Sequence, residues 1–420
     1  MSAKLQSRQK RIVITGIGMV TPLGSDREST WSSLKQGRSG TAWLRPSAVS
    51  RHSEKVPIGT MCGARCSDIS TEINVAEPVV QYALSAANEA ITDADLALHD
   101  LDRDRVGCVV GTSKGGLAAF ERAHRATYQG DVELNPYDWT AFWPNSAATY
   151  LSNRFDLRGP SICPIAACAT GLNCVVRAAD LIRDDYCDAV IAGSSDASLC
   201  ESVLASFHRL GVLARGFDDP ATACRPFDRD RSGFLVGEGA AIMILEDAEH
   251  AAARGALPYA EYLGAAIAAD HSGLTQLEAS ADGLTRLIQD VLRCSEVTSE
   301  ELDYANLHGT ATRLNDVCET RAVKQALGTK ANRLKCSSLK GSVGHLLGAA
   351  GSFELASTVL AMRDSTVPPT INLFEADSEC DLDYTPNDAI PQRIEHALKL
   401  SLGFGGHQVA CVLRRGESDR

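Results

Sequence analysis

The chain has 420 residues, of which 44% are hydrophobic and 22% charged, and carries a formal net charge of −12. That length can bury a large core and ordinarily forms two domains or one duplicated domain, and the composition is that of a soluble globular protein. No run approaches the ~20 apolar residues of a membrane span, the polar stretch before Lys10 lacks the apolar region of a secretory signal, and the acidic balance disfavours nucleic acid as a partner.

In chain order, Arg11 to Gly18 reads as a buried strand running into a glycine turn. The third glycine of a dinucleotide loop is missing, so no cofactor is expected there. Val106 to Gly111 is a second apolar strand, followed by a glycine-rich turn (Gly111 to Gly116) and a helix. Ser161 to Ile165 is strand-like and leads into Ala166-Ala167-Cys168-Ala169-Thr170-Gly171. Apolar residues at Leu172, Val175, Val176 and Ala179 then recur at helical spacing. Asp188 to Gly193 and Ala241 to Leu245 are further strands.

The second half repeats the alternation. Tyr259 to Ala269 reads as strand, Gly283 to Leu292 as helix, Leu302 to Leu307 as strand and Val317 to Leu327 as helix. Cys336 to Leu339 is a short strand and Gly348 to Met362 an alanine-rich helix. Ala397 to Gly403 and Val409 to Arg414 read as two strands joined by Phe404-Gly405-Gly406. Such alternation predicts a layered α/β protein with its sheets covered on both faces. The boundary between halves is expected near Ala251 to Pro258, giving units 1–255 and 256–420.

The fourteen cysteines are scattered, and Cys108, Cys187 and Cys411 sit in apolar runs. That pattern predicts buried thiols in a reducing compartment rather than a disulfide framework, and hence a cytoplasmic protein. Cys62 and Cys66 have no second pair to complete a zinc set, so no metal is expected.

Cys168 stands where a strand gives way to a helix. Backbone N–H groups at a helix N-terminus favour a thiolate, and a depressed thiol pKa is therefore expected. Small neighbours leave the sulfur accessible. Two histidines lie in glycine-flanked turns after short strands, His308 in His-Gly-Thr-Ala-Thr and His345 in Lys340-Gly-Ser-Val-Gly-His. One nucleophile and two imidazoles make a candidate acyl-transfer site.

These motifs, with Asn145-Ser146, Leu157 to Ser161, Arg225-Pro226-Phe227-Asp228, Gly233-Phe234, Pro368 to Asn372 and Gly403 to Gly406, occur in one order across nearly the whole chain. The chain resembles the β-ketoacyl-acyl carrier protein synthases of the elongating Cys-His-His type. The resemblance implies the thiolase fold, two similar α/β halves stacked in five αβαβα layers, and a homodimer, with a heterodimer as the alternative. It implies an acyltransferase that condenses a Cys168-bound acyl group with a malonyl thioester on an acyl carrier protein, in fatty acid or polyketide synthesis. His308 and His345 resemble the donors to the developing enolate oxygen. The backbone N–H groups of Cys168 and Phe404 resemble the second oxyanion hole, and the Phe404 ring resembles the gate over the acyl pocket. Lys340 is expected beside the histidines, with Glu319 as its partner and Asp316 nearby. Thr310, Thr312 and Thr275 match positions that bind the phosphopantetheine arm, Lys114 matches an acyl-pocket position, and Phe207 is a candidate substrate-binding residue.

Two departures stand out. Lys114 replaces an apolar pocket residue; burying an unpaired ammonium is costly, so a short, polar or unsaturated acyl chain is expected. Lys399 falls where relatives carry residues of a cation site near Glu354 and Asn306, and its ammonium is expected to take that ion's place. Glu354 is either a solvated helix residue or, by resemblance, a buried carboxylate. Arg209 and Arg215 are candidate docking positions for an acidic carrier, where one basic position of the family falls on Gly211; His407, His271 and His208 are given no chemical role. The alternatives are a specialised ketosynthase of a polyketide or polyene system with a chain-length partner, a non-catalytic partner subunit, or a thiolase or hydrolase using free coenzyme A.

Overall fold

The computed structural model describes residues 10–44, 62–67, 77–128 and 138–416; the polar stretch 1–9 lies outside them. Ten strands form one mixed sheet. The first half supplies β1 (Ile12–Val20), β2 (Val106–Gly111), β3 (Ser161–Ile162), β4 (Ala189–Asp196) and β5 (Gly239–Asp247). The second supplies β6 (Ala260–Ala269), β7 (Tyr304–Asn306), β8 (Lys335–Ser337), β9 (His396–Gly403) and β10 (His407–Arg415). Their spatial order is β8-β7-β9-β10-β6-β1-β5-β4-β2-β3.

The pairing repeats strand for strand. In each half the first strand runs antiparallel to the last, as β1 to β5 and β6 to β10. The last runs antiparallel to the one before it, as β5 to β4 and β10 to β9. That one is parallel to the second strand and the second to the third. The halves meet where Ile12 to Ile14 of β1 pair with Ala260 to Tyr262 of β6.

Five helices complete the layers: α1 (Pro78–Asp93), α2 (Thr170–Arg183), α3 (Asp282–Cys294), α4 (Arg313–Leu327) and α5 (Ala350–Asp364). Helix α1 covers the outer face at β1 and β5, while α3, backed by α4, covers β6 and β10. Helices α2 and α5 pack on each other and on strands of both halves. The result is helix, half-sheet, helix, half-sheet, helix, the two five-strand halves being joined through β1 and β6, with one apolar cluster at each helical layer. The central position of α5 explains its composition: every residue from Ala350 to Met362 is buried, and apart from the paired carboxylate of Glu354 they are apolar or small. Where α2 and α5 cross, Gly171 and Gly351 face each other's backbones; a Cβ on Gly171 would lie 2.4 Å from the Ser352 nitrogen, and one on Gly351 2.6 Å from the Leu172 nitrogen.

Two expectations need correction. Gly16 and Gly18 lie inside β1 rather than in a turn, and they sit flush against α1, which leaves no room for side chains. The strand expected over Ser161 to Ile165 ends at Ile162, short of Pro164, which has no N–H for a ladder. Of the two readings of Glu354, the buried carboxylate that the resemblance implies is the one observed. Cys108, Cys187 and Cys411 are buried as expected. Among the described residues no helix is long and apolar enough to cross a membrane.

Candidate active site

Both central helices begin with a tight 3₁₀ turn. In one, Ala167–Ala169 precedes α2 and puts Cys168 at the helix entrance; in the other, Leu347–Ala349 precedes α5. The first residue of each turn adopts a left-handed backbone, Ala167 at φ 47° and Leu347 at φ 50°. The duplicated turn thus carries a thiol in one half only, with Gly348 at the matching position of the other. His308 follows β7, His345 follows Lys340–Val343, and Phe404 sits in the turn between β9 and β10. All four reach a single cavity of about 610 Å³, lined also by Thr275, Thr310 and Thr312.

The sulfur of Cys168 accepts a hydrogen bond from the Phe404 backbone N–H. Gly403 makes that approach possible, since a Cβ there would lie 3.1 Å from the Cys168 nitrogen. A backbone N–H beside the sulfur can also donate to a carbonyl oxygen held on that thiol. The expected thiolate is not the resting state. Burial pushes the Cys168 thiol up to about 11, although Lys114 and Lys340 pull the other way. With Cys168 only 8% exposed, desolvation of the anion outweighs the helix N-terminus.

The two imidazoles stand edge to face, ring centres 5.3 Å apart. Burial, then the nearby Lys340 ammonium, holds both well below the usual histidine range, so both are neutral. His345 accepts at Nδ1 from the Leu347 N–H at 3.3 Å. The Lys340 ammonium lies 3.4 Å from His308 Nδ1 and also donates to the His308 carbonyl. With each Nδ1 facing a donor, each ring carries its proton on Nε2 and has an N–H to offer. Phe234 stacks edge-on against His345, centres 5.1 Å apart, and fixes its plane.

Lys340 pairs with Glu354 at 2.5 Å rather than with Glu319. Glu319 is already occupied: its two oxygens accept the backbone N–H groups of His308 and Gly309, each at 2.6 Å, and Asn315 donates to it at 2.8 Å. It shapes the His308 turn, while burial raises its pKa to about 7. Asp316 accepts from the Phe227 N–H at 2.8 Å and faces Arg231 at 3.4 Å; burial raises it to about 6 against the pull of that guanidinium. Lys399 is buried with its ammonium 2.7 Å from the second oxygen of Glu354, and it lies opposite Asn306 in the β9–β7 register. Burial lowers its pKa, with Glu354 opposing.

Thr310 and Thr312 share a hydroxyl hydrogen bond of 2.8 Å at the cavity wall. Lys114 and Phe207 do not line that cavity. Phe207 lies against Phe404 and Phe234, ring centres 6.4 and 5.7 Å away, and the Lys114 ammonium sits 5.9 Å over the Phe207 ring. Arg209 and Arg215 are exposed beside Gly211 and Val212, which line the mouth. His407 and His271 are exposed.

Sequence reading missed Arg231, which is buried, lines the cavity, pairs with Asp316 and with Asp377 at 2.6 Å, and donates to the Arg313 carbonyl at 3.1 Å. It also missed Arg313, an exposed cation on the cavity wall. Arg231 lies just past the noted Arg225 to Asp228 block and just before Gly233-Phe234, but nothing in its spacing marks a cation as buried.

Residues 9–251 match the family profile "Beta-ketoacyl synthase, N-terminal domain", and residues 259–374 match "Beta-ketoacyl synthase, C-terminal domain". The chain is 36% identical over 415 residues to 3-oxoacyl-[acyl-carrier-protein] synthase 2 of Synechocystis, covering 97% of this chain and 98% of the relative. It is 36% identical over 410 residues to the protein of that name from Coxiella burnetii, covering 97% and 99%. A solved ketosynthase of a type II PKS, in complex with its acyl-carrier protein and bound to the hexaketide, superposes with TM-score 0.89 at 32% identity, over 97% of this chain and all of that one. A β-ketoacyl synthase from Burkholderia phymatum superposes at 0.87 with 31% identity, over 97% and 99%. The duplicated five-layer architecture is thus the thiolase fold of the ketosynthases, and the chain belongs to the β-ketoacyl synthase family of condensing enzymes.

Proposed function

We propose that the protein elongates an acyl group by decarboxylative Claisen condensation on an acyl carrier protein, with Cys168 as nucleophile. The observation that carries this reading is the convergence of one thiol, two neutral imidazoles and the Phe404 backbone N–H on one cavity. The Cys168 sulfur attacks the acyl thioester of the carrier. Its carbonyl oxygen becomes an oxyanion held by the N–H groups of Cys168 and Phe404, the carrier sulfur leaves, and the thiol proton passes to it. A malonyl thioester then enters, breaks its bond to carbon dioxide and places negative charge on its thioester oxygen. The Nε2–H groups of His308 and His345 stabilise that oxygen; one such donor contributes about 3–4 kcal/mol. Neutral rings suit the task, because they donate without delivering a proton that would quench the enolate. The enolate carbon bonds to the acyl carbon, the bond from that carbon to the Cys168 sulfur breaks, and the departing thiolate takes a proton from water. The product is a 3-oxoacyl thioester longer by two carbons.

In this reading Lys340 keeps the imidazoles neutral, Thr310, Thr312 and Thr275 bind the phosphopantetheine arm, and Phe404 gates the acyl pocket. Arg209, Arg215 and Arg313 form a basic rim that meets an acidic carrier despite the net negative charge. Lys399 takes the place of a structural cation beside Glu354 and Asn306. The halves divide at 255/256, the active form is a dimer, and the enzyme works in the cytoplasm. A second reading, a ketosynthase of a type II polyketide or polyene system acting with a chain-length partner, is favoured by Lys114 and by the likeness to the ketosynthase/chain length factor of ishigamide, TM-score 0.87 at 29% identity. Co-purification of each candidate partner with the enzyme, followed by condensation assays with and without it, separates the two: turnover by the homodimer alone supports the first.

A further inference from the structure

We propose that Lys114 selects acyl groups carrying a neutral oxygen acceptor, a keto or hydroxyl oxygen on the chain held by Cys168, over saturated hydrocarbon chains. The proposal rests on the reading that Cys168 carries the acyl group.

The Lys114 ammonium is half-buried and donates to Ser113 Oγ at 2.7 Å and Ser198 Oγ at 3.3 Å. Both hydroxyls spend their own protons on the buried carboxylate of Asp196, which also accepts the N–H groups of Ser113 and Gly348, each at 3.1 Å. Among the described residues no carboxylate forms an ion pair with Lys114 itself, so one of its three N–H donors has only the Phe207 ring face beside it.

That ring packs in the apolar cluster that also holds Cys168, Leu204, Phe234 and Leu347. Lys114 and Phe207 lie outside the open cavity, but the Lys114 ammonium is near enough to act on the Cys168 thiol; an acyl chain on Cys168 that turned past Phe404 into this cluster would meet it. A saturated chain would strip water from the third N–H and give nothing back, which costs free energy. A carbonyl or hydroxyl oxygen would replace that water. The acceptor is neutral because Asp196, one hydroxyl away, already balances the charge; a second carboxylate would face its field.

The test loads acyl carrier protein with octanoyl, with octanoyl bearing an oxo group at carbon 3, 5 or 7, and with suberoyl, which ends in a carboxylate. Intact mass follows the rate at which each acylates Cys168 in the wild type and in Lys114→Met. At least one oxo chain is expected to load at least about tenfold faster than octanoyl in the wild type. Lys114→Met is expected to abolish that preference while still loading octanoyl, a retained activity that a misfolded variant would lack. Equal loading of all chains by the wild type, survival of the preference in Lys114→Met, or preference for suberoyl each overturns the proposal. Those results leave Cys168 acylated and the condensing reading intact; absence of added mass with every carrier would instead remove that reading, and this proposal with it.

Discussion

The triad Lys340–Glu354–Lys399 places two ammonium groups on one carboxylate in a layer that water does not reach, all three side chains being at most 1% exposed. Replacing Glu354 by Gln leaves both cations without their anion. At 2.7 Å and an effective dielectric of ~20, Coulomb attraction is about 6 kcal/mol for one such contact, and the desolvation of the charges offsets part of it. Breaking a buried pair by removing one partner costs about 3–5 kcal/mol, and Glu354→Gln is expected to fall in that range. Lys399→Met removes the surplus ammonium and leaves Glu354 paired with Lys340. It is expected to change stability by less than about 1 kcal/mol, or to raise it. Urea unfolding of the two variants beside the wild type reads both values. A loss below about 1 kcal/mol for Glu354→Gln, or a larger loss for Lys399→Met than for Glu354→Gln, would refute the electrostatic reasoning.

Alanine in place of His308 or His345 should slow malonyl decarboxylation about 10²–10³-fold, measured as carbon dioxide release, while leaving acylation of Cys168 measurable. The buried neutral imidazoles also set a pH dependence. Their folded pKa values are depressed, so their contribution is present above ~6.5 and lost as pH falls, because the unfolded chain takes up protons the folded one does not. Each histidine should account for about 1.4 kcal/mol lost between pH 7.5 and 5.5; Asp316 and Glu319, whose pKa values are raised, act in the opposite sense, so the readout is the difference in slope between wild type and His345→Gln. With the Cys168 thiol near 11, its alkylation by iodoacetamide should rise about tenfold per pH unit from 7 to 9.5; a plateau below pH 8 would contradict the burial argument. Charge reversal at Arg209 and Arg215 should raise KM for the carrier, with the effect shrinking as salt rises, and leave kcat for saturating carrier nearly unchanged.

Much of this molecule was legible in the sequence, because the elements that position chemistry are short and sharply punctuated. Short apolar runs marked the strands before Cys168 and His308, although the first ends at Ile162 rather than Ile165, and helical spacing after Cys168 marked α2. Partnerships were less legible. Glu319, three residues after Asp316 and close to His308 in sequence, suggested a partner for Lys340, yet its oxygens are filled by the backbone of the turn it follows, and the partner came from Glu354 on a helix of the central layer. The depressed thiol pKa expected at Cys168 failed for a related reason: a helix N-terminus is a local feature visible in sequence, whereas burial between the two halves of the sheet is a property of the assembled layers. The same holds for Arg231, whose neighbours Asp316 and Asp377 come from distant segments.

The central claim is that one cavity brings together an acylated sulfur and a pair of enolate-stabilising imidazoles. Its most direct measurement is a two-step reaction: acylate the enzyme from an acyl carrier, confirm by intact mass and peptide mapping that the group is on Cys168, then add malonyl carrier. Release of carbon dioxide with transfer of the acyl mass from Cys168 to a 3-oxoacyl carrier, absent in Cys168→Ala and suppressed in His308→Ala, is the predicted result. Acylation at another residue, or condensation that survives loss of both histidines, would contradict it.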